Sequence, residues 1–157
     1  MGSRARRLEP PEAPGVPTLL YLVGRLDRVV RRAIADAVKS HGLSVNQYTT
    51  LSVLDRRRGL SNAQLARRSL VSPQSANEVL LALEDLGLVQ RRAHPDHGRI
   101  LQTRLTAKGR RILASCDAKV ADVEADMVGQ LSTSQQTALR QALIECVHRL
   151  HGGLDTD

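Results

Sequence analysis

The feature that most constrains the fold is a closely spaced series of helix starts and stops between residues 61 and 106. Ser61 and Gln64 have the spacing of a capping box, in which the two residues exchange hydrogen bonds at a helix start. Eight residues after Gln64, Ser72 precedes a proline, which favours the first position of a helix. Gly87 then has the position of a helix stop. The pattern predicts a short helix followed closely by a second one.

Two short segments directly after these helices have the pattern of a β-hairpin. Residues 88–92 and 100–105 alternate in part between apolar and polar side chains. Between them, residues 94–99 read His-Pro-Asp-His-Gly-Arg, which is strong turn chemistry. The order helix, helix, strand, charged turn, strand is typical of a winged helix-turn-helix, which places one helix in a DNA groove.

The rest of the chain is predicted to be helical. Residues 18–39 have apolar side chains every three or four positions, the mark of an amphipathic helix. Further helix starts are predicted at Ser44, Thr106 and Ser132. The predicted fold is therefore mainly α, with about six helices and one β-hairpin wing.

The same signals divide the chain into segments. We expect a flexible, basic and proline-rich arm over residues 1–17, a single unit over 18–152 and a tail over 153–157. Within the unit, residues 44–106 form the DNA-binding lobe, and 18–40 together with 107–152 form long terminal helices. These terminal helices are more apolar than packing on one small core requires. A homodimer would bury this surplus and set two DNA-binding heads about one DNA turn apart, as a palindromic site requires.

The composition favours duplex DNA as the partner. The 157-residue chain has a formal net charge of +7 and a pI of about 10.4. Arg accounts for 20 of its 23 cationic residues, which suits contacts to phosphate and guanine, although a codon bias explains the ratio equally well. Its two aromatic residues, both Tyr, argue against recognition of single strands by base stacking.

The chain lacks both an apolar run of the roughly 20 residues that a membrane span needs and the apolar core of a signal peptide. We therefore expect a cytoplasmic protein without a membrane partner, associated with the nucleoid when bound to DNA. Cys116 and Cys146 lack the spacing of a metal site, and free thiols in a reducing compartment are expected.

Ten side chains are candidate DNA contacts. Gln and Asn can pair with adenine through two hydrogen bonds, Ser reaches phosphates or base edges, and Arg pairs with phosphates. Each could instead be a solvated surface residue. The candidates are Ser72, Gln74, Ser75 and Asn77 in the second helix of the motif, Arg67 and Arg68 in the first, Arg91 and Arg92 in the first strand, and His97 and Arg99 in the turn.

These residues resemble the MarR family of bacterial transcriptional regulators, and the likeness extends over residues 18–152. It is carried by Leu65-Ala66, Ser72-Pro73-Gln74-Ser75, the run from Leu83 to Val89, Asp96 to Arg99, and Leu105-Thr106-Ala107-Lys108-Gly109. The resemblance implies a homodimeric repressor of a short inverted repeat, held together by its terminal helices and released by a small effector. The wing of this family often has Asp-Arg-Arg where this chain has His97-Gly98-Arg99, so the first Arg is missing.

The resemblance also implies an effector pocket between the terminal helices and the DNA-binding lobe. Tyr21, His41 and Tyr48 are the polar side chains expected there, in aliphatic surroundings that would suit an apolar or phenolic ligand.

Two other forms of regulation remain open. Glu145, His148 and His151 recur every three residues along the last helix, a spacing that can hold zinc, although solvated residues at a helix end are the alternative. Cys116 and Cys146 fall on apolar stripes, where Cys usually packs as a small apolar residue. A zinc- or redox-responsive regulator of the same family is therefore an alternative.

Two further classes of function are disfavoured. The chain has no GxxxxGK[ST], HExxH or GxSxG motif, so no enzymatic activity is expected. An architectural protein that coats DNA without sequence preference would be compatible with the charge. The polar start of the second helix of the motif, which is suited to reading bases, argues against that class.

Overall fold

The computed structural model describes residues 15–57, 59–68, 72–93 and 101–150. In these ranges the chain forms six α-helices and one two-stranded antiparallel hairpin, which confirms the mainly α fold. The elements are α1 (Leu19–Val38), a 3₁₀ turn (Lys39–His41), α2 (Val45–Arg56), α3 (Asn62–Arg68), α4 (Pro73–Asp85), β1 (Val89–Ala93), β2 (Leu101–Leu105), α5 (Ala107–Val128) and α6 (Thr133–Arg149). Most of the predicted arm, the tip of the hairpin and the C-terminal tail lie outside the described residues.

The helix starts predicted from the sequence are confirmed. Capping boxes form at Ser44, Ser61 and Ser132, each with the glutamine three residues later. The Ser72 side chain accepts a hydrogen bond from the backbone of Ser75. Such side chains satisfy N–H groups that have no partner within the helix, which is why these short-range signals locate the starts well.

The hairpin pairs Val89 with Leu105 and Ala93 with Leu101, so β1 is shifted by one residue from the predicted 88–92 and β2 begins one residue later than the predicted 100–105. The backbone N–H of Thr103 donates to the carbonyl of Leu60 at 3.0 Å, so residue 60 forms an isolated bridge on the free edge of β2. This bridge ties the α2–α3 connection to the hairpin and makes β2 the central strand.

One apolar core joins the helices and the hairpin. Its fully buried side chains include Leu51, Leu54, Leu65, Leu80 and Leu83 from α2, α3 and α4. Val38 of α1 and Cys116 of α5 are also fully buried in it. The DNA-binding lobe that we predicted over residues 44–106 is therefore completed by both flanking helices.

The outer parts of the terminal helices are exposed in the protomer. Val38 is the single buried residue of α1, and α6 has none. Leu20 is 81% exposed and Leu143 of α6 is 40% exposed. The apolar surplus inferred from the sequence is thus on the surface of the isolated chain. In the described part of the chain, no helix is both long and apolar enough to cross a membrane.

Candidate nucleic-acid interface

The N-terminal half of α4 presents a polar surface. Gln74, Ser75 and Glu78 are exposed, and the amide of Gln74 donates to Glu78 Oε1 at 3.2 Å. Ser72 caps the helix, as predicted, and its hydroxyl also donates to Ser75 Oγ at 3.0 Å. These side chains can offer both donors and acceptors to base edges.

Sequence reasoning missed one exposed residue on this helix. Leu81 is 44% exposed and follows Gln74 by seven residues, that is, two turns further along the same face. Its position outside the apolar stripe of α4 was the available signal. An exposed leucine here could contact a thymine methyl group.

Asn77 lies at the edge of this surface, beside Arg91 of β1. Arg91 Nη1 donates to Asn77 Oδ1 at 3.4 Å, and Arg91 Nε and Nη2 donate to Glu84 Oε2 at 2.8 and 2.6 Å. We predicted that Arg91 would contact a phosphate, but its guanidinium is already engaged by two residues of α4. The ion pair between Arg91 and Glu84 connects β1 to α4, and the two residues are seven positions apart in the sequence.

The other predicted cations lie on exposed surfaces. Arg67 and Arg68 are exposed at the end of α3, and Arg92 is exposed with its Nη2 donating to Gln90 Oε1 at 3.3 Å. Arg104 was not predicted, although it pairs with Gln90 across the hairpin and is exposed on the same face as Arg92. Alternation along the strand was the signal for it. The contacts predicted for His97 and Arg99 fall outside the described residues.

The position of α4 is also set by α3. Asn62 Nδ2 donates to the carbonyl of Pro73 at 3.1 Å, while its buried Oδ1 has no partner in the described structure. This bond holds the first turn of α4 against the start of α3. Since the candidate contacts Gln74 and Ser75 lie in that turn, the bond sets where they lie.

A cleft of about 620 Å³ opens at the base of the hairpin, between α2, the two strands and the first turn of α5. Arg104 and Arg110 bring two guanidinium groups to it. Arg110 Nη1 also donates to the carbonyl of Leu105 at 3.1 Å. The lining residues are Leu54, Asp55, Gln90, Arg104, Leu105, Thr106, Ala107 and Arg110.

Of the three residues predicted for an effector pocket, two face α5. Tyr48 Oη donates to Asp117 Oδ1 at 2.8 Å, and His41 Nε2 lies 3.1 Å from Ser115 Oγ. Burial, and next the bond to Asp117, raise the pKa of Tyr48 to about 12. The phenol therefore stays protonated at neutral pH and acts as a donor.

Tyr21 does not join them within one protomer. It lies near the start of α1, half-exposed, and accepts a hydrogen bond from Arg25 at 3.4 Å. His41 follows the far end of the same helix, and the stretch of α1 from Tyr21 to Val38 by itself spans roughly 26 Å at about 1.5 Å per residue. The predicted trio therefore does not line a single pocket in the protomer.

The predicted zinc ligands are not assembled in the described part of the chain, where no three His, Cys, Asp or Glu side chains come together. Glu145 accepts a hydrogen bond from Arg149 Nε at 2.9 Å in an exposed ion pair, and His148 is exposed on the same helix. His151 lies outside the described residues, so the triad stays a prediction.

The two cysteines differ in environment. Cys116 is fully buried, and burial raises the pKa of its thiol, which disfavours the reactive thiolate. Cys146 is exposed on α6. Both are free thiols.

Comparison with known proteins places this geometry among DNA-binding proteins. Residues 41–100 match the sequence model of the MarR family. The HTH-type transcriptional repressor Rv2887 of Mycobacterium tuberculosis is 37% identical over 123 residues, which are 78% of this chain and 88% of that protein. Its structure with salicylic acid superposes with a TM-score of 0.68 at 35% identity, covering 84% of this chain and 98% of Rv2887. The structure of Rv2887 in complex with DNA superposes with a TM-score of 0.69 at 33% identity, covering 83% of this chain and 98% of Rv2887.

Proposed function

This chain belongs to the MarR family of DNA-binding transcriptional regulators, and we propose that it is a homodimeric repressor that binds an inverted-repeat operator and is released by a small aromatic carboxylic acid. The observation that carries the proposal is the exposed polar face of α4 beside a basic hairpin. Gln74 and Ser75 are available to bases, while Arg92 and Arg104 lie on the hairpin. The net charge of +7 supports a polyanionic partner.

In this proposal α4 enters the major groove as the recognition helix. An α-helix fits that groove, and each base pair presents a distinct set of donors and acceptors there. Removal of one good base contact costs about 1–3 kcal/mol of discrimination. We therefore expect selectivity from α4 and sequence-independent affinity from the arginines.

The experiment is fluorescence anisotropy with the intergenic DNA beside the gene of this protein, against a random duplex of equal length, at two salt concentrations. We expect selective binding, and a loss of selectivity in Gln74→Ala. Gln130→Ala is the matched control, because Gln130 is exposed in the α5–α6 turn, far along the chain from α4. Equal binding of both duplexes by the wild type, with a steep salt dependence, would instead favour an architectural protein.

The dimer is proposed from the exposed apolar surface of α1 and α6. Burying one leucine side chain contributes about 1.5–3 kcal/mol, and several leucines are exposed on these helices. We expect Leu143→Lys to shift the protein to monomers in sedimentation velocity and to weaken operator binding. Leu86→Lys is the control, since Leu86 at the end of α4 is 43% exposed and Leu143 is 40% exposed. A wild-type protein that stays monomeric at micromolar concentration would contradict the dimer.

The effector class is suggested by the relative crystallised with salicylic acid. We propose that an aromatic carboxylic acid binds in the cleft at the base of the hairpin, where Arg104 and Arg110 can pair with a carboxylate. The volume of this cleft, about 620 Å³, lies in the range of small-molecule binding sites. The cleft lies between α5 and the hairpin, so a ligand bound there would change the angle between these two elements.

This site is tested by titrating salicylic acid into the protein–operator complex. We expect release of DNA by the wild type and a weakened response in Arg110→Gln, with Arg111→Gln as an exposed neighbouring control. Benzyl alcohol, which lacks the carboxylate, should release DNA poorly. If Arg110→Gln and the wild type respond alike, the ligand does not bind in this cleft.

A further inference from the structure

Among the described residues, Arg91 is the most enclosed charged side chain beside α4. Its side chain is 20% exposed, and that of its partner Glu84 is 36% exposed. Two of its N–H groups donate to one carboxylate oxygen of Glu84, at 2.8 and 2.6 Å. A guanidinium whose charge is balanced in this way has little left to offer a phosphate, in contrast to the exposed Arg92 next to it.

The third contact of Arg91 determines how the amide of Asn77 is turned. Arginine carries donors and no acceptor, so the atom of Asn77 that faces Nη1 is the carbonyl oxygen, at 3.4 Å. The amino group of the amide is consequently the end turned away from Arg91. Asn77 is partly exposed at the edge of the face that carries Gln74 and Ser75.

From this geometry we propose that Arg91 is a positioning residue that makes Asn77 a hydrogen-bond donor to DNA, and so selects guanine or thymine over adenine at one position of each half-site. Bidentate pairing with adenine needs the amide oxygen and the amino group together at the base edge. Arg91 holds the oxygen on the hairpin side. Guanine O6 and N7, or thymine O4, accept from an amino group and require no acceptor in return, whereas adenine places its N6 amino donor beside N7, its one acceptor at that edge.

The inference rests on the proposed function, since it requires α4 to enter the major groove. It replaces the adenine pair that the sequence suggested for Asn77 and the phosphate contact that it suggested for Arg91. Glu84 gains a role as well, because without its carboxylate the guanidinium is free to leave Asn77.

The test is a panel of operators with every single-base substitution, measured by anisotropy at several salt concentrations. We expect the wild type to prefer guanine or thymine at one position by roughly 5- to 150-fold. Arg91→Gln should reduce that preference to within about two-fold while leaving the slope of log K against log salt unchanged. An arginine that neutralises a phosphate would behave differently, because its substitution weakens binding to every sequence and makes the slope shallower by about 0.9.

Four variants make the result specific, three with a single substitution and one with two. Asn77→Ala should lose the same preference, and Arg91→Gln added to it should cause no further loss, as expected for residues that act as a unit. Glu84→Gln keeps the shape of the side chain, so it should fold normally and relax the preference in part. Arg92→Gln, on the opposite face of the hairpin, should leave the preference intact.

The outcomes distinguish a failure of the proposed function from a failure of the role assigned to Arg91. A wild type without sequence selectivity would overturn the proposed function and this inference with it. A selective wild type would leave the function standing. In that case, unchanged preference in both Arg91→Gln and Glu84→Gln, or an adenine preference that depends on Asn77, would overturn the role of Arg91.

Discussion

Gly109, in the first turn of α5, is the position where a single methyl group should be least tolerated. A Cβ atom there would lie 2.0 Å from the carbonyl oxygen of Leu88, whereas real Cβ contacts essentially never fall below 3.0 Å. The α4–β1 turn and the start of α5 would have to separate by about 1 Å. Gly109→Ala is therefore expected to destabilise the protein although alanine is the better helix former.

The magnitude follows from the hydrogen bonds that this close approach permits. The backbone N–H of Thr106 donates to Leu88 at 3.0 Å, its hydroxyl donates to Gly87 at 2.7 Å, and Lys108 Nζ donates to Leu86 at 2.8 Å. At a net value of about 1 kcal/mol each, their loss costs about 3 kcal/mol. The helix propensity of alanine returns about 1 kcal/mol. The net loss of about 2 kcal/mol corresponds to a Tm lower by roughly 4–8 °C for a chain of this size.

The assay is urea unfolding followed by circular dichroism at one fixed protomer concentration, with sedimentation to confirm an unchanged oligomeric state. Gly24→Ala is the control, because the same substitution in α1 places Cβ 3.8 Å from the nearest atom, Arg28 Nη1. It should stabilise the protein by about 0.8–1 kcal/mol. If Gly109→Ala is as stable as the wild type, the contact between α5 and Leu88 does not constrain the fold.

Two further predictions concern titratable groups, the partly buried Tyr48 and the fully buried Cys116. In a Tyr21→Phe background, tyrosinate absorbance at high pH should report Tyr48 alone, with a midpoint near pH 12 that falls in Asp117→Asn because the negative charge of the carboxylate is lost. Since the pKa of Tyr48 is raised on folding, its contribution to stability is complete below about pH 10 and is lost as the pH rises through about 12. A midpoint near 10 in the folded protein would contradict the partial burial of Tyr48 and its hydrogen bond to Asp117. In a Cys146→Ser variant at neutral pH, Cys116 should react slowly with a thiol reagent, because burial shields the thiol and raises its pKa. The reaction should become rapid once urea unfolds the chain. Rapid reaction in the folded state would contradict the burial of Cys116.

Local signals in the sequence determined most of the secondary structure. The helix starts at Ser44, Ser61, Ser72 and Ser132 were predictable because a cap depends on residues within one helical turn. The hairpin was predictable because alternation and turn residues lie within a short segment. Basic charge and the order of elements were sufficient to indicate DNA binding.

The roles of individual site residues depended on contacts between segments distant in sequence. The pattern marked Arg91 as one exposed cation among several, and only packing of β1 on α4 brought it to Glu84 and Asn77. Likewise, Tyr21 and His41 could share a predicted pocket until the length of α1 separated them.

The sequence alone therefore determined where the capped helices begin, the class of fold and the class of partner, because periodicity, caps and net charge act locally or sum over the chain. The tertiary structure decided which side chains meet. It buried Val38 and Cys116 in the core of the DNA-binding lobe, and it brought Leu88 against Gly109. Such meetings depend on the three-dimensional path of the backbone, which no short window of sequence contains.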